Sequence, residues 1–488
     1  MPSTLDLRLS TRMFILHASS EIAPFAKTGG LGDVVGGIAK PLEKLGHRVA
    51  AIMPLYRKVR DARRSMKVAC EFDVKCGETN RRVRVWRTDI PDGEFFFVEQ
   101  NELFDREGLY GGGMGDYPDN AERFSLFCRA VLQTVTALQL PVDVIHAHDW
   151  QAALIPVYLK TTHAQNAALS RIRTLFTIHN LAYQGVFPSH FMHVAALDWS
   201  LFNWKHLEFW GSINFMKGGL VFADRITTVS PQYAREIQSR ELGCGLEGVL
   251  KDRGANVSGI LNGVDTEEWN PAKDKLIPAR FTAADLKGKA ACRAHLRRRR
   301  GLPESPAPLF GVVSRLVAQK GIDLLVESLA EIVAMEAQVV ILGQGDDTLQ
   351  RAIVASAQRW PRQVAVQIGF DDRLAHEITA GADALLMPSR WEPCGLSQMY
   401  AQLYGTLPVV RRTGGLADSV EDGATGFVFE EAAMAGVVRG VRRAIEAWRS
   451  PEKWGVMMQA AMKLDWSWGR SAKEYAALYE KVMVNPRP

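Results

Sequence analysis

The chain has few cysteines and no long hydrophobic run. Its six cysteines are scattered over 488 residues and form no Cys-x-x-Cys pair. This pattern excludes a disulfide framework and is typical of proteins in a reducing compartment. No apolar run approaches the roughly 18 residues of a membrane helix. The first run, Met13–Ala18, is too short for the core of a signal peptide, and too few residues precede it for an obvious transit peptide. We therefore expect a cytoplasmic protein without a membrane partner.

The chain also lacks a strong excess of one charge and any low-complexity tract. A net charge of +5 is small for this length, so we expect no nucleic acid as a partner. The densest basic run is Arg297–Arg300, which we interpret as the solvated last turn of a helix. The overall charge therefore does not identify a binding partner, which must be deduced from the residues of a specific binding site.

Short apolar segments alternate with longer helical patterns along both halves of the chain. This alternation predicts an α/β protein with parallel sheets wound by crossover helices, and the length predicts two large domains. We place them at residues 1–254 and 255–465, with helix 466–488 crossing back onto the first. The predicted strands are Met13–Ala18, Val49–Met53, Val83–Trp86, Phe95–Val98, Val142–His146, Thr174–Ile178, Arg225–Val229, Leu309–Val313, Val339–Leu342, Val364–Ile368, Ala384–Met387 and Leu407–Val410.

One motif occurs twice, as Lys-Thr-Gly-Gly-Leu-Gly-Asp at 27–33 and Arg-Thr-Gly-Gly-Leu-Ala-Asp at 412–418. Each copy lies between a predicted strand and a predicted helix. Paired glycines let backbone N–H groups approach a ligand, and a helix N-terminus favours phosphate. One copy alone is more often an ordinary tight turn. Two copies, one in each half, indicate two nucleotide-type domains that share one phosphorylated ligand.

Two cations follow the predicted strand Leu309–Val313, namely Arg315 and Lys320. They can neutralise the charge of a leaving diphosphate without a metal ion. The alternative is a pair of solvated basic residues, and the glycine loops favour phosphate. Ligands of parallel sheets bind at the carboxyl ends of strands, so we expect these residues to face one interdomain cleft.

A carboxylate follows another predicted strand end, in Glu392-Pro393-Cys394-Gly395-Leu396. It can stabilise positive charge that develops on a sugar ring. The alternative is that Glu392 caps the following helix. Cys394 has no base placed beside it and is interpreted as a packed small side chain.

A histidine-rich segment, His146-Ala147-His148-Asp149-Trp150, ends a further strand. Its two histidines share a strand face, but no third ligand is evident, which disfavours zinc. A carboxylate beside an indole suits sugar recognition, and the alternative is a buried Trp150 beside a helix-capping Asp149. His179 and Asn180 end the next strand, where they suit hydroxyl or phosphate binding or have a structural role.

Taken together, these motifs resemble those of the bacterial glycogen synthases and plant starch synthases that use ADP-glucose. The resemblance runs from about Met13 to the C-terminus. It implies a GT-B fold with two Rossmann-like domains facing a cleft, and retaining transfer of glucose to the non-reducing end of an α-1,4-glucan. The motifs that carry it are 27–31, 146–150, 176–180, 259–265, 314–316, 392–396 and 411–416.

The resemblance also implies site residues, with the acceptor on the first domain, the donor on the second, and no metal or cofactor. The catalytic set is Glu392, Asp149, His179, Lys27, Arg315 and Lys320. The donor- and substrate-binding set adds Gly29, Gly30, Asn180, Asn262, Phe370, Cys394, Gly395, Leu396, Thr413, Gly414 and Gly415.

Two positions depart from the family pattern. Gln151 replaces the usual histidine, which can alter acceptor contacts, and Phe370 replaces the usual tyrosine against adenine. Stacking survives the second change, but a hydroxyl hydrogen bond does not.

Three other functions fit parts of the pattern. A glucan phosphorylase requires a pyridoxal phosphate lysine whose context is not found here. A transferase to sucrose or another small acceptor would share Arg315 and Lys320. A catalytically silent glucan-binding partner predicts lost donor residues, whereas the residues proposed for the donor are present.

Overall fold

The computed structural model describes residues 12–90, 93–113 and 115–484. The chain forms two compact units. The first runs to Val229 and also takes Ala234–Gly263 and the segment from Trp468, and the second comprises Ser230–Tyr233 and Val264–Ser467. Residues 1–11 of the predicted first domain and 485–488 of the predicted closing helix lie outside the described residues.

A nine-stranded sheet forms the centre of the first unit, in the order β14-β13-β9-β8-β1-β2-β5-β4-β3. Its neighbours pair in parallel except β3 with β4 and β4 with β5, which are antiparallel. Two small antiparallel sheets, β10-β12-β11 and β6-β7, accompany it. The strands are β1 (Phe14–Ala18), β2 (Arg48–Pro54), β3 (Lys67–Cys76), β4 (Thr79–Ile90), β5 (Gly93–Glu99), β6 (Gly111–Gly112), β7 (Gly115–Asp116), β8 (Val144–His148), β9 (Arg173–Ile178), β10 (Val186–Pro188), β11 (Glu208–Phe209), β12 (Ser212–Asn214), β13 (Arg225–Thr228) and β14 (Val257–Gly259).

The antiparallel edge is the main departure from the predicted parallel sheet. Strand β3 was not predicted, because most of its side chains are exposed or only partly buried and it has no continuous apolar run. From Glu71 onward, exposed charged residues alternate with more buried apolar ones, and charged side chains on an edge strand are a usual protection against pairing with other chains.

The second unit contains a six-stranded sheet in the order β17-β16-β15-β18-β19-β20. All its neighbours pair in parallel, and buried Val, Ile and Leu side chains fill its core. Since parallel strands are covered on both faces, they read as near-continuous apolar runs, and the five strands that the sequence predicted in this unit were located to within about one residue. Strand β20 was not predicted, because it has only three residues. The strands are β15 (Leu309–Val313), β16 (Gln338–Gly343), β17 (Val364–Ile368), β18 (Ala384–Met387), β19 (Leu407–Arg411) and β20 (Phe427–Phe429).

Helices connect the strands in both units, and no helix in the described part of the chain is long and apolar enough to cross a membrane. The α-helices are α1 (Gly30–Lys44), α2 (Asn101–Phe104), α3 (Asn120–Ala137), α4 (Asp149–Ala152), α5 (Leu154–Lys160), α6 (Phe191–Val194), α7 (Phe215–Phe222), α8 (Pro231–Glu236), α9 (Glu247–Arg253), α10 (Lys287–Arg299), α11 (Ile322–Ala334), α12 (Asp347–Arg359), α13 (Asp372–Gly381), α14 (Ser397–Leu403), α15 (Gly414–Ser419), α16 (Met434–Trp448), α17 (Pro451–Met462) and α18 (Trp468–Val484). Short 3₁₀ helices span Arg57–Ser65, Trp199–Leu201, Gly254–Asn256 and Ala318–Lys320.

The closing helix α18 belongs to the core of the first unit. Its buried side chains, among them Tyr475 and Tyr479, share one apolar cluster with Ile15 of β1 and Ile38 of α1. This face follows from the helical spacing of aromatic and aliphatic residues along 468–482.

The interpretation of Arg297–Arg300 as a solvated helix end holds for the exposed Arg298 and Arg299 and is wrong for Arg297. Helix α10 does end at Arg299, but Arg297 is buried. Its Nε donates to Gln338 Oε1 at 2.9 Å and an Nη donates to the carbonyl of Ala307 at 2.8 Å. Burial lowers the pKa of Arg297. The basic run therefore ties the helix end to the sheet of its own unit.

Candidate functional site

In the first unit, three neighbouring strands bring the predicted residues to one edge of the sheet. Strands β1, β8 and β9 are adjacent, so their carboxyl ends lie side by side. Strand β8 runs to His148, two residues beyond the predicted end. Asp149 follows it directly, and His179 follows β9.

Asp149 is tied to the end of the neighbouring strand. Its Oδ1 accepts the backbone N–H of His179 at 2.7 Å. Its backbone has a φ of 53°, a region that Asp tolerates better than most residues. Burial raises the pKa of its carboxyl to about 7, against the lowering effect of backbone N–H groups at His179 and Asn180. Asp149 therefore titrates near neutral pH.

The capping alternative for Asp149 is not what the structure shows. Asp149 is the first residue of α4, whose cap residue is His148. Trp150 is buried, as that alternative expected, and Gln151 is buried beside it. The Oε1 atom of Gln151 has no hydrogen-bond partner among the described residues. Gln151, which stands where the family usually has histidine, thus places a buried hydrogen-bond acceptor without a described partner in the first unit.

Four histidines lie together behind this edge, and one of them was missed in the sequence. His17 of β1 joins His146 and His148 in a buried cluster whose ring nitrogens lie within 4.8 Å of one another. His17 Nδ1 is 3.0 Å from His148 Nε2, and His148 Nδ1 is 3.0 Å from His179 Nε2. A lone histidine inside an apolar strand carries no spacing signal, so only the strand pairing reveals it.

The same cluster supplies the third imidazole that the zinc interpretation needed. Three imidazoles are a known zinc ligand set, and burial lowers the pKa of His17 to about 3, which keeps that ring neutral. His146 is already bonded, by Nδ1 to Tyr479 Oη at 2.8 Å and by Nε2 to Thr177 Oγ1 at 2.5 Å. Of the cluster's ring nitrogens, His17 Nε2 is the buried one that lacks a hydrogen-bond partner within the described part of the chain. The arrangement is a hydrogen-bonded network.

The first paired-glycine loop is fixed by hydrogen bonds to the carboxylate of Glu21, a residue that the sequence analysis did not single out. Buried Glu21 accepts the backbone N–H and the hydroxyl of Thr28 at 2.5 and 2.7 Å, and the backbone N–H of Gly29 at 3.4 Å. The hydroxyl of Tyr110 donates to the same carboxylate at 2.6 Å. The amide of Gly29, predicted to contact a ligand, therefore has an internal partner, and Gly30 begins α1.

The remaining predicted residues of the first unit lie in its loops. Lys27 Nζ is 3.0 Å from Asp33 Oδ1 on the exposed side of the loop. Asn180 accepts the backbone N–H of Ala182 at 3.1 Å and shapes the turn after β9. Asn262 is buried, and its Oδ1 has no partner among the described residues.

In the second unit, Lys320 and Glu392 form an ion pair. They follow β15 and β18, which are adjacent strands. Glu392 is buried and also accepts the hydroxyl of Ser389 at 3.2 Å. Arg315 lies on the same loop as Lys320, is exposed, and contacts Gln319 Oε1 at 3.4 Å.

The alternative that Glu392 caps a helix is wrong. Helix α14 begins at Ser397, and its cap residue Leu396 makes no side-chain capping bond. The carboxylate is instead directed to Lys320. Cys394 is buried, and Gly395 has a φ of 72° in the turn that leads to α14.

The second paired-glycine loop is pressed against the Glu392 segment. A Cβ on Gly414 would lie 1.9 Å from the carbonyl oxygen of Glu392, and one on Gly415 would lie 2.1 Å from that of Cys394. The N–H of Gly415 donates to the carbonyl of Glu392 at 3.1 Å. Buried Thr413 precedes α15 as its cap residue. These glycines are required by close backbone packing.

Phe370 follows β17 at the same edge of the second sheet. Its side chain is 88 % exposed, which is rare for a phenylalanine and leaves its ring face available for stacking.

Two known families match the chain. The starch synthase catalytic domain matches residues 14–252, and glycosyl transferases group 1 matches residues 295–457. The chain is 47 % identical over 478 residues to a glycogen synthase of Anaeromyxobacter sp. (strain Fw109-5), covering 96 % of this chain and 99 % of the relative. It is 46 % identical over 478 residues to a glycogen synthase of Myxococcus xanthus, covering 97 % and 100 %.

Solved structures agree with this assignment. The catalytic domain of starch synthase IV from Arabidopsis thaliana, bound to ADP and acarbose, has a TM-score of 0.88 and 33 % identity, covering 97 % of this chain and 100 % of that one. Sucrose-phosphate synthase from Thermosynechococcus elongatus, at 17 % identity and a TM-score of 0.61 over 96 % and 99 %, shares the fold.

These matches confirm the predicted α/β fold of the GT-B class and the prediction of a glycosyltransferase enzyme. They also confirm the predicted family, because relatives with more than 30 % identity cover nearly the whole chain. The synthesis of glycogen or starch uses a nucleotide-sugar donor and a glucan acceptor. The chain belongs to the glycogen and starch synthase family.

Proposed function

We propose that this enzyme transfers glucose from ADP-glucose to the non-reducing end of an α-1,4-glucan, with retention of configuration and release of ADP. The observation that carries the proposal is the Lys320–Glu392 ion pair, with Arg315 on the same loop. It puts one cation against a buried carboxylate and a second cation on the same loop, which suits a departing diphosphate next to a sugar that gains positive charge. The ADP in the related starch synthase IV structure supports the choice of nucleotide.

The second unit is proposed to bind the donor. Arg315 and Lys320 neutralise the diphosphate, because a planar guanidinium fork and a compact ammonium together match its oxygens. The exposed ring of Phe370 stacks on adenine. The backbone from Cys394 to Leu396 and from Thr413 to Gly415 lines the phosphates, next to the amide end of α15.

The first unit is proposed to bind the glucosyl group and the acceptor. Asp149 and His179 accept from and donate to sugar hydroxyls, and Asn180 lies beside them. Lys27 with Gly29 and Gly30 contacts the donor, and Asn262 turns its unsatisfied amide oxygen to substrate. The pKa of Asp149, about 7, lets that carboxyl change its proton with small changes in its surroundings.

Glu392 is proposed to stabilise the charge that develops at the anomeric carbon. When diphosphate draws Lys320 towards itself, the carboxylate loses part of its partner and its negative field acts on the sugar. Retention permits two routes, a covalent intermediate on a nearby nucleophile or a front-face ion pair. Both use the same carboxylate and the same leaving-group cations. The enzyme is proposed to act in the cytoplasm without metal or cofactor.

The test is incubation of the purified protein with labelled ADP-glucose or UDP-glucose and glycogen, with and without a chelator. We expect label in the glycogen from ADP-glucose, ADP released in equal amount, and no loss of rate with the chelator. Incorporation from UDP-glucose alone, or transfer only to small sugars, would refute the proposal.

Variants test the residue assignments. Arg315→Ala and Lys320→Ala should each lower kcat by about a hundredfold, the size typical of a lost transition-state charge contact. Glu392→Gln should lower kcat more than it raises KM, as for an interaction made in the transition state. Arg351→Ala, at an exposed arginine of α12, is the matched control and should leave the rate unchanged.

A further inference from the structure

The histidines of the first unit include a linear chain that ends at His179. The His148 ring forms a hydrogen bond to His17 through Nε2 and another to His179 through Nδ1. Both nitrogen–nitrogen distances are 3.0 Å. His17 and His148 are fully buried, whereas His179 is partly exposed. The chain therefore runs from the interior of the sheet to its functional edge.

A chain of neutral imidazoles has only two possible proton arrangements. Each neutral ring has one N–H donor and one acceptor nitrogen, and burial lowers the pKa of all three rings, which keeps them neutral. His148 must therefore donate to one neighbour and accept from the other. Either every proton points towards His179 or every proton points away from it.

The buried end of the chain decides between these arrangements. His17 Nε2 has no hydrogen-bond partner among the described residues. If the protons pointed inward, this atom would be an unpaired buried N–H, which folded proteins tolerate less well than an unpaired acceptor. With the protons pointing outward, His17 Nδ1 donates to His148 Nε2, and His148 Nδ1 donates to His179 Nε2. The remaining nitrogen of His179, Nδ1, then carries the proton.

We infer that His17 and His148 are positioning residues that orient the ring of His179 and fix its Nδ1 as a hydrogen-bond donor. The inference rests on the proposed role of His179 at the sugar. A donor at that atom suits a hydroxyl or carbonyl-type acceptor of the substrate and disfavours a group that can only donate. The network acts as an orienting second layer, like the groups that fix histidine tautomers in metal sites.

The neighbouring His146 offers a matched control. It is buried like His17 and stacks on His148 at a ring distance of 4.1 Å. Its nitrogens are bonded to Tyr479 and Thr177, so it is outside the chain. Replacing it disturbs the same cluster without breaking the path to His179.

The experiment compares His17→Leu, His17→Asn and His146→Leu in glucosyl transfer, with thermal unfolding of each. In metal sites, loss of the partner that orients a histidine typically costs about 10- to 100-fold. On that scale we expect His17→Leu to lower kcat at least about tenfold with little change in the donor KM. His17→Asn keeps a donor near the Nδ1 position and should recover much of kcat. His146→Leu should lower the unfolding temperature as His17→Leu does and leave kcat close to that of the wild type.

Equal kcat losses in the two leucine variants, or no loss in either, would overturn the inference. His179→Ala separates it from the proposed function. If His179→Ala is as active as the wild type, the role proposed for His179 fails and His17 and His148 have no catalytic ring to orient. If His179→Ala is inactive while His17→Leu is normal, only the positioning role of His17 and His148 fails.

A spectroscopic measurement on the unaltered protein covers the case in which the leucine variants do not fold. Ring nitrogen-15 shifts distinguish Nδ1–H from Nε2–H tautomers, and loss of signals in His179→Gln identifies the ring. We expect His179 in the Nδ1–H form. An Nε2–H form would contradict the outward arrangement of protons.

Discussion

The two paired-glycine loops share nearly the same sequence but are held by different contacts. In the first unit a carboxylate, Glu21, binds the backbone of the loop, and a Cβ on Gly29 would meet nothing within 4 Å. In the second unit Gly414 and Gly415 lie against the carbonyl groups of the Glu392 segment. The same pattern thus forms a turn with open space around Gly29 in one unit and a tightly packed turn beside the candidate carboxylate in the other.

The largest expected effect contrasts these glycines directly. Gly414→Ala and Gly415→Ala should each destabilise the protein by about 3 kcal/mol or more, because overpacking adds to the cost of the 41° φ at Gly414. Gly29→Ala, at an extended residue with a φ of −160°, should cost less than about 1 kcal/mol. Chemical denaturation of the three variants measures this difference. Equal losses at Gly29 and Gly414 would remove the distinction between the loops.

A second variant removes the carboxylate beneath the first loop. Glu21→Ala deletes the carboxylate that accepts hydrogen bonds from both Thr28 and Tyr110. We expect the free energy of unfolding to fall by about 2 kcal/mol, since hydrogen bonds to charged groups contribute about 1.5–3 kcal/mol. The donor KM should rise, because the loop that carries Lys27 is no longer fixed. Ser328→Ala, which removes a buried hydroxyl from α11 of the second unit, serves as the control and should leave the donor KM unchanged. An unchanged KM in Glu21→Ala would show that the carboxylate does not order the loop for the donor.

The third prediction uses the raised pKa of Asp149, about 7 against 3.8 in a model compound. A carboxyl whose pKa is raised by folding favours the folded state when it is protonated. Its contribution is therefore full below pH 4 and is lost as the pH rises from about 4 to about 7. Asp149→Asn should raise the unfolding free energy at pH 8 by about 1–2 kcal/mol and leave it unchanged near pH 4, while transfer is lost. A destabilised Asp149→Asn protein at pH 8 would contradict the burial argument.

The smallest expected effect concerns the exposed pair of Lys27 and Asp33. The side chain of Lys27 is 58 % exposed, and exposed ion pairs contribute at most about 1 kcal/mol. Asp33→Asn should change the unfolding free energy by less than about 0.5 kcal/mol. It should lower the donor KM slightly, because Lys27 no longer divides its charge between Asp33 and the donor. Steady-state kinetics at low salt measures the effect, and a large stability loss would show that the pair has a structural role.

Sequence predicted what local patterns encode. The buried parallel strands and the positions of Lys320 and Glu392 in loops after strand ends all follow from apolar runs and strand-end chemistry, whereas the ion pair between these two residues appeared only in the structure. Glu21, His17 and Tyr110 were missed, since each acquires its role through a partner far along the chain. Strand β3 was missed because its apolar residues alternate with exposed charged ones and form no continuous apolar run. Contacts between residues that are far apart along the chain cannot be deduced from local patterns in a single sequence.

The most direct test of the account is the affinity of each variant for ADP, measured by calorimetry. If the second unit binds the diphosphate, Arg315→Ala and Lys320→Ala should weaken ADP binding at least about tenfold, as the loss of a charge-assisted contact predicts. Asp149→Asn and His179→Ala should bind ADP like the wild type and yet fail to transfer glucose. ADP binding that is normal in the two second-unit variants, and lost in Asp149→Asn, would contradict the account.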